Sequence, residues 1–402
     1  MSEDHTTAAR QSVLSMLWPM LIIAGMAINL RPTLTAIGPL LDDITATTGL
    51  GLQAASLLTV LPMLCMGIFA LLLPWLGRLF SESVWITAGL VAIALASFWR
   101  LWLNDSGALI ASALLAGTGI AIVQAILPGL VKRWYPQRVP LAMGGYSASL
   151  MAGGGIAAVI SPLVANHQGH WQSGLGIWLI PALIALLLWW TRPRENLHIS
   201  DNSVKINFFT NRRAWLLACY FGLANGGYAC MIAWLPSYAQ ELGWSAQDSG
   251  ELIGIMTIFQ VIGALAAPAL SAGRLDRRPW LFFAVGIQLV GFCGLMLAPE
   301  LMLTSWVAMI GYGLGGCFAL TLTVTLDHLS SPKLAGALTA FVQGVGFIVT
   351  AVIPYIAGAL RQWSGSFQTS WLMVIVTLTF MFLVTITFSP SRYAKAMNLT
   401  VA

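Results

Sequence analysis

The sequence predicts an all-α integral membrane protein, with twelve transmembrane helices in two pseudo-symmetric six-helix bundles. Three observations predict it. Of 402 residues, 58% are apolar and only 8% charged, against about 25% charged in ordinary soluble domains. The apolar residues are gathered in long runs, with a mean hydropathy of +0.82 over the whole chain. Nearly every lysine and arginine falls on one side of those runs.

In chain order the runs cover residues 13–41, 53–76, 84–103, 107–131, 140–165, 173–191, 214–239, 248–272, 279–299, 302–326, 334–360 and 369–389. A helix of ~20 residues crosses a bilayer, so each is read as one span. Most connections are short, which packs neighbours antiparallel. Residues 1–12 are polar and mixed in charge and are read as a cytoplasmic tail. The run after them is too long for the apolar core of a signal peptide. Residues 192–213, RPRENLHISDNSVKINFFTNRR, are polar and stand out as a linker. They divide an N-terminal bundle, 13–191, from a C-terminal bundle, 214–389. Residues 390–402 form a second cytoplasmic tail.

With the N-terminus inside, sixteen of the 19 basic residues lie on the inner side, from Arg10 through Lys395. Arg100 and Arg361 lie outside, and Arg31 falls within the membrane. That asymmetry sets both termini on the cytoplasmic side. It also accounts for the pI of 9.1 without nucleic acid. The 17 Trp residues suit the interfaces of a bilayer.

The halves share punctuation. Pro39 matches Pro236, Pro74 matches Pro268, and Pro162 matches Pro354. Gly117 and Gly119 match Gly313 and Gly315, and Lys132 and Pro136 then match His328 and Pro332 at a spacing of 196. Parallel repeats of this kind place a solute site near the midplane, between the bundles.

The first span contains INLRPTLTAIGPL, residues 28–40. An arginine at mid-depth costs ~2.5–3.5 kcal/mol by insertion scales, so Arg31 should face protein or a water-filled cavity. Thr35 lies one turn on. Pro32 has no N–H, which frees the carbonyl of Ile28. Arg31 is therefore read as a fixed positive charge lining a cavity; the alternative is an arginine paired to a carboxylate or a helix end for structure alone. Asn29, Gln124, Tyr146, Asn225, Tyr228, Gln260 and Gln343 are also costly to expose to lipid. Aligning Pro39 with Pro236 puts Tyr228 at the place of Arg31, and Asn225 a turn before. The candidate solute-binding set is Arg31, Thr35, Asn29, Gln124, Tyr146, Asn225, Tyr228 and Gln343. Each alone serves equally as interhelical glue; a cluster around Arg31 would mark a cavity.

The glycine-rich stretches, GGYSASLMAGGG (144–155) above all, allow close helix packing. No carboxylate is clearly at mid-depth, and Asp327 beside His328 is the nearest approach to a titratable pair. The five cysteines lie in apolar spans without metal or disulfide spacing. No phosphate-binding loop, zinc motif or nucleophile elbow occurs, so no cofactor, metal or catalytic set is expected.

Taken together, NLRPTLTAIGPLL, LLTVLPMLCMG, VQAILPGLVKR, FGLANGGYACMIAWLP, LDH (326–328) and FVQGVGFI (341–348) resemble the cyanate permease family of the major facilitator superfamily. The loop GRLDRRPW (273–280) resembles that superfamily's cytoplasmic loop signature. There Asp276, with Arg274 and Arg277, is expected to latch the inner side by pairing with an arginine or a helix N-terminus. The matching first-half loop, GRLFSES (77–83), lacks the aspartate. The resemblance implies the major facilitator fold in a bacterial inner membrane and uptake of cyanate or a similar small anionic or polar solute by alternating access. Relatives are associated with nitroimidazole-type compounds, which leaves efflux of drug-like molecules as the alternative. The expected partners are a small-molecule solute and the lipid bilayer, with the chain a monomer.

Overall fold

The computed structural model describes residues 17–50, 52–76, 79–192, 207–244 and 246–397. The tail 1–12, most of the linker 192–213, and Gly77 and Arg78 lie outside them. Regular structure among the described residues is entirely helical. The first span opens with α1 (17–27) and continues after a break as α2 (Pro32–Thr35). Then follow α3 (Leu41–Thr48), α4 (Leu52–Leu76), α5 (Glu82–Arg100), α6 (Ser106–Trp134), α7 (Val139–Gln168), α8 (Trp171–Gly176) and α9 (Leu179–Trp190). The second half holds α10 (Arg212–Glu241), α11 (Ala246–Ser271), α12 (Arg278–Leu297), α13 (Pro299–Asp327), α14 (Pro332–Ser364), α15 (Phe367–Thr385) and the short α16 (Tyr393–Ala396).

Eleven helical stretches among the described residues are long and apolar enough to cross a membrane, and α4, apolar over Val60–Leu72, makes the twelfth. Among the described residues, α13 kinks at Met302, the first residue of the tenth apolar run, and two spans are interrupted further in. The first is broken at Arg31, and the sixth turns at Ile177–Trp178 between α8 and α9. Capping follows local chemistry. The Asp105 carboxylate accepts from the Ala108 N–H at 2.7 Å to start α6, and Asn211 accepts from Arg213 and Ala214 to start α10. The fifth and eleventh spans, α7 and α14, both end in a left-handed glycine, Gly169 (φ 76°) and Gly365 (φ 72°).

The pairing of helices repeats between the halves. The pairs α4–α6, α5–α6 and α5–α9 recur as α11–α13, α12–α13 and α12–α15. Across the seam, α7 packs on α11 just as α14 packs on α4. We call the end where α9 leaves and α10 begins the linker end, and the other the far end.

The glycines of α6 and α13 set the register of the repeat. A methyl on Gly117 would press on Pro62 of α4, and one on Gly119 would overlap Gly89 of α5. Their counterparts by contact are Gly311 against Met256 of α11 and Gly313 against Ala284 of α12. The halves thus align at a spacing of 194, not 196. The run Gly311-Tyr-Gly313-Leu-Gly315 offers Gly-x-Gly twice, and only packing tells the two apart. Lys132 consequently corresponds to Leu326, not to His328.

Gly315 has its own constraint, because a methyl there would overlap the Gln260 carbonyl of α11. Overpacking costs ~1–3 kcal/mol for small insertions and more against rigid backbone. Gly315→Val should therefore abolish accumulation of folded protein, whereas Gly254→Ala on α11, with open space around it, should be neutral. Size-exclusion profiles of the detergent-solubilised variants check this.

Candidate functional site

The site begins with the break in the first span. The last turns of α1 tighten, with Asn29 N–H bonding to Met26 O and Leu30 N–H to Ala27 O. Pro32 then supplies no N–H for the Ile28 carbonyl. Gly153 of α7 packs so closely against that carbonyl that a methyl would overlap it. α2 restarts with Arg31 as its flanking residue, at φ −119° and ψ −27°, and with proline in its first turn. Thr35 Oγ1 donates to the Gly154 carbonyl at 2.9 Å and pins α2 to α7.

That geometry delivers the Arg31 side chain to the seam between the halves. It is 7% exposed, and no carboxylate among the described residues pairs with it. Its guanidinium carbon lies 5.6 Å from the centre of the Tyr228 ring on α10, within cation–π range. A cavity opens beside it, lined by Arg31, Met151 and Gly154 from one half and by Asn225, Tyr228, Gln260, Leu314 and Phe318 among the other half's residues. Its volume is about 20 Å³, room for a water-sized group. Asn225 spends one amide N–H on Phe221 O at 2.9 Å and keeps its oxygen. The site is thus a guanidinium, two amides and a phenol in a small, partly apolar chamber.

Of the sequence candidates, Arg31, Asn225 and Tyr228 line this cavity, and Thr35 fixes its wall. The others lie elsewhere. Asn29 faces α9, donating to Gly25 O at 2.7 Å and to Pro181 O at 3.2 Å. Tyr146 is fully buried on α7, two turns before Gly154; it is not part of the cavity lining, but it lies within electrostatic reach of Arg31, and its hydroxyl has no hydrogen-bond partner among the described residues. Gln124 and Gln343 bond to each other across the seam, Nε2 to Oε1 at 3.3 Å. Gln260 is the residue that the candidate set left out. Nothing in its neighbours distinguishes it from a packing glutamine; only the seam position of α11 turns it to the cavity.

The linker end is closed below the glutamine pair. Gln124 precedes Lys132 by eight residues, about 12 Å along α6. Lys132 donates to the carbonyls of Leu326 and Leu329 at the end of α13. Nearby, Gly129 of α6 meets Gly336 of α14 with room for little more than hydrogen. The loop around Asp276 has a different part. Asp276 accepts from the Arg278 N–H at 3.0 Å and from its guanidinium at 2.6 Å, so it caps α12 locally. Those bonds hold its carboxyl below the usual carboxylate range. Arg277 reaches Asp327 at 3.1 Å and ties the loop to α13, while Arg274 is exposed. The aspartate meets both an arginine and a helix start, yet within its own half; at this end the seam is crossed by Lys132.

The comparisons with known proteins agree with this architecture. The sequence pattern of the Major Facilitator Superfamily matches residues 17–354. The chain belongs to that superfamily. It is 41% identical over 378 residues to the cyanate transport protein CynX of Escherichia coli strain K12, covering 94% of this chain and 98% of that one. It is 29% identical over 362 residues to the 2-nitroimidazole transporter of the same organism, covering 86% and 90%. Among solved structures, the fucose:proton symporter FucP of E. coli superposes with a TM-score of 0.75 at 13% identity, over 93% of this chain and 99% of that one. That likeness extends to the fold alone. As a superfamily member of this length and pairing, the chain is a multi-pass membrane transporter, not an enzyme, and its cavity lies where the superfamily's two bundles meet.

Proposed function

We propose that this transporter moves a small anion or strongly dipolar solute, cyanate-like in size and charge, across a bacterial inner membrane by alternating access. The observation that carries the reading is the Arg31 guanidinium, with no acidic partner among the described residues, beside a small cavity at the seam. An arginine presents a fork of N–H donors to an anion, and Gln260, Asn225 and Tyr228 add neutral hydrogen-bonding groups opposite. The rocking bodies are residues 13–191 and 214–389, joined by 192–213, with both termini cytoplasmic and the chain acting as a monomer. The 41% identity to a cyanate transport protein supports this substrate class.

A second reading is export of nitroimidazole-type compounds, favoured by the likeness to the 2-nitroimidazole transporter. A nitro group could use the same guanidinium, but its aromatic ring needs a wider chamber than the one found. Tracer flux in proteoliposomes separates the two. Uptake of labelled cyanate should saturate, with excess unlabelled cyanate competing and 2-nitroimidazole ineffective. Saturable flux of 2-nitroimidazole with none of cyanate would reverse the assignment.

A further inference from the structure

Arg100 ends α5 and, by the charge pattern, belongs at the outer surface. The structure buries it completely, at 0% exposure. Its Nε donates to Ser112 Oγ of α6 at 3.0 Å, and one terminal nitrogen donates to the Thr33 carbonyl of α2 at 3.5 Å. Ser112 is fixed in turn by its own bond to Leu109 O at 2.7 Å. Among the described residues the other terminal nitrogen of Arg100 has no hydrogen-bond partner, and no carboxylate pairs with this side chain.

The Thr33 carbonyl is a consequence of the break. α2 is only four residues long, and its last backbone bond runs from Ala36 N–H to Pro32 O. No N–H of the following turn takes the Thr33 oxygen. A buried carbonyl left without a donor is costly, and Arg100 supplies the donor from a helix 67 residues away in sequence. Thr33 follows Arg31 by two residues in a segment with little helical support of its own. Thr35 ties that segment to α7 through Gly154, and Arg100 ties it to α5.

We infer that Arg100 is a positioning residue for the solute site: it anchors the break in the first span to α5 and, through that break, sets the position of the Arg31 guanidinium. The inference rests on the proposed role of Arg31. It explains why a full charge is kept buried with no counter-charge among the described residues, when an apolar residue would pack α5 at lower cost. A guanidinium spans Ser112 and Thr33 at once; no shorter side chain reaches both.

Arg100→Met and Arg100→Lys in proteoliposomes test it, alongside Arg31→Ala and the Arg31→Ala/Arg100→Met double variant. Arg100→Met should raise the KM for cyanate about tenfold or more, the scale of one lost charged hydrogen bond, with the maximal rate changed much less. Arg100→Lys, able to reach one acceptor, should recover part of the KM. Binding of labelled cyanate to the solubilised double variant should be no weaker than to Arg31→Ala alone, since Arg100 acts through Arg31. Unchanged KM in folded Arg100→Met overturns the inference, as does a loss of maximal rate and melting temperature at constant KM. If instead Arg31→Ala transports normally, the solute-site reading itself has failed, whatever Arg100 does.

Discussion

Arg31→Ala is expected to cut cyanate flux in proteoliposomes at least about 100-fold, the loss of two charged hydrogen bonds of ~1.5 kcal/mol or more each. The substitution should not destabilise the protein. Arg31 has no acidic partner among the described residues, so its removal leaves no buried carboxylate behind and relieves an uncompensated charge. Melting temperature in detergent should stay level or rise. That pairing of outcomes separates a solute ligand from a structural arginine, which would lose stability and transport together. Arg31→Lys should be intermediate, because an ammonium supplies the charge but not the planar fork. Normal flux by folded Arg31→Ala would remove the residue from the mechanism.

How far the site was legible in the sequence follows from what each signal depends on. A charge inside an apolar run is a local fact, so Arg31 and the Pro32 break could be read directly, and the turn from Asn225 to Tyr228 could be placed opposite by counting between the halves: the matched prolines point to Tyr228 and the glycine register of 194 to Asn225. Counting gives depth well and rotation poorly. Asn29 is two residues from Arg31 but lies before the break, where the tightened turns of α1 direct it to α9. Gln124 and Gln343 have the right depth, yet each meets the other before it meets the cavity. Gln260 sits on a helix that reaches the cavity only because Gly263 and Gly315 bring α11 and α13 into backbone contact, a tertiary fact. Arg100 reads as an outer-surface charge because charge statistics describe loops and helix ends; its burial follows from an orphan carbonyl that exists only once the first span breaks.

Lys132→Met is expected to shift the transporter toward the form open at its linker end. In the structure the Lys132 ammonium sits on two carbonyls at the end of α13, Leu326 O and Leu329 O. Leu326 O is among the acceptors a helix C-terminus leaves without intrahelical donors and carries part of its negative charge, and Leu329 O lies just past the C-cap His328. Opening that end must break both bonds and hydrate the ammonium, whereas the methionine stem keeps the packing without the donor. Two charged hydrogen bonds at ~1.5–3 kcal/mol each, partly offset by hydration in the open form, leave a bias of about tenfold to 100-fold. The Gln124–Gln343 pair, about two turns deeper, is neutral and bonded at 3.3 Å, so Gln124→Ala should shift the balance less. Spin labels at Gln137→Cys and Lys333→Cys, both exposed at that end on opposite halves, report it on a background without the native cysteines. The Lys132→Met variant should add or enlarge a long-distance population, and cyanate flux should fall because one face is favoured. An unchanged distance distribution would mean that the glycine contact of α6 with α14 closes this end by itself, with Lys132 only capping α13.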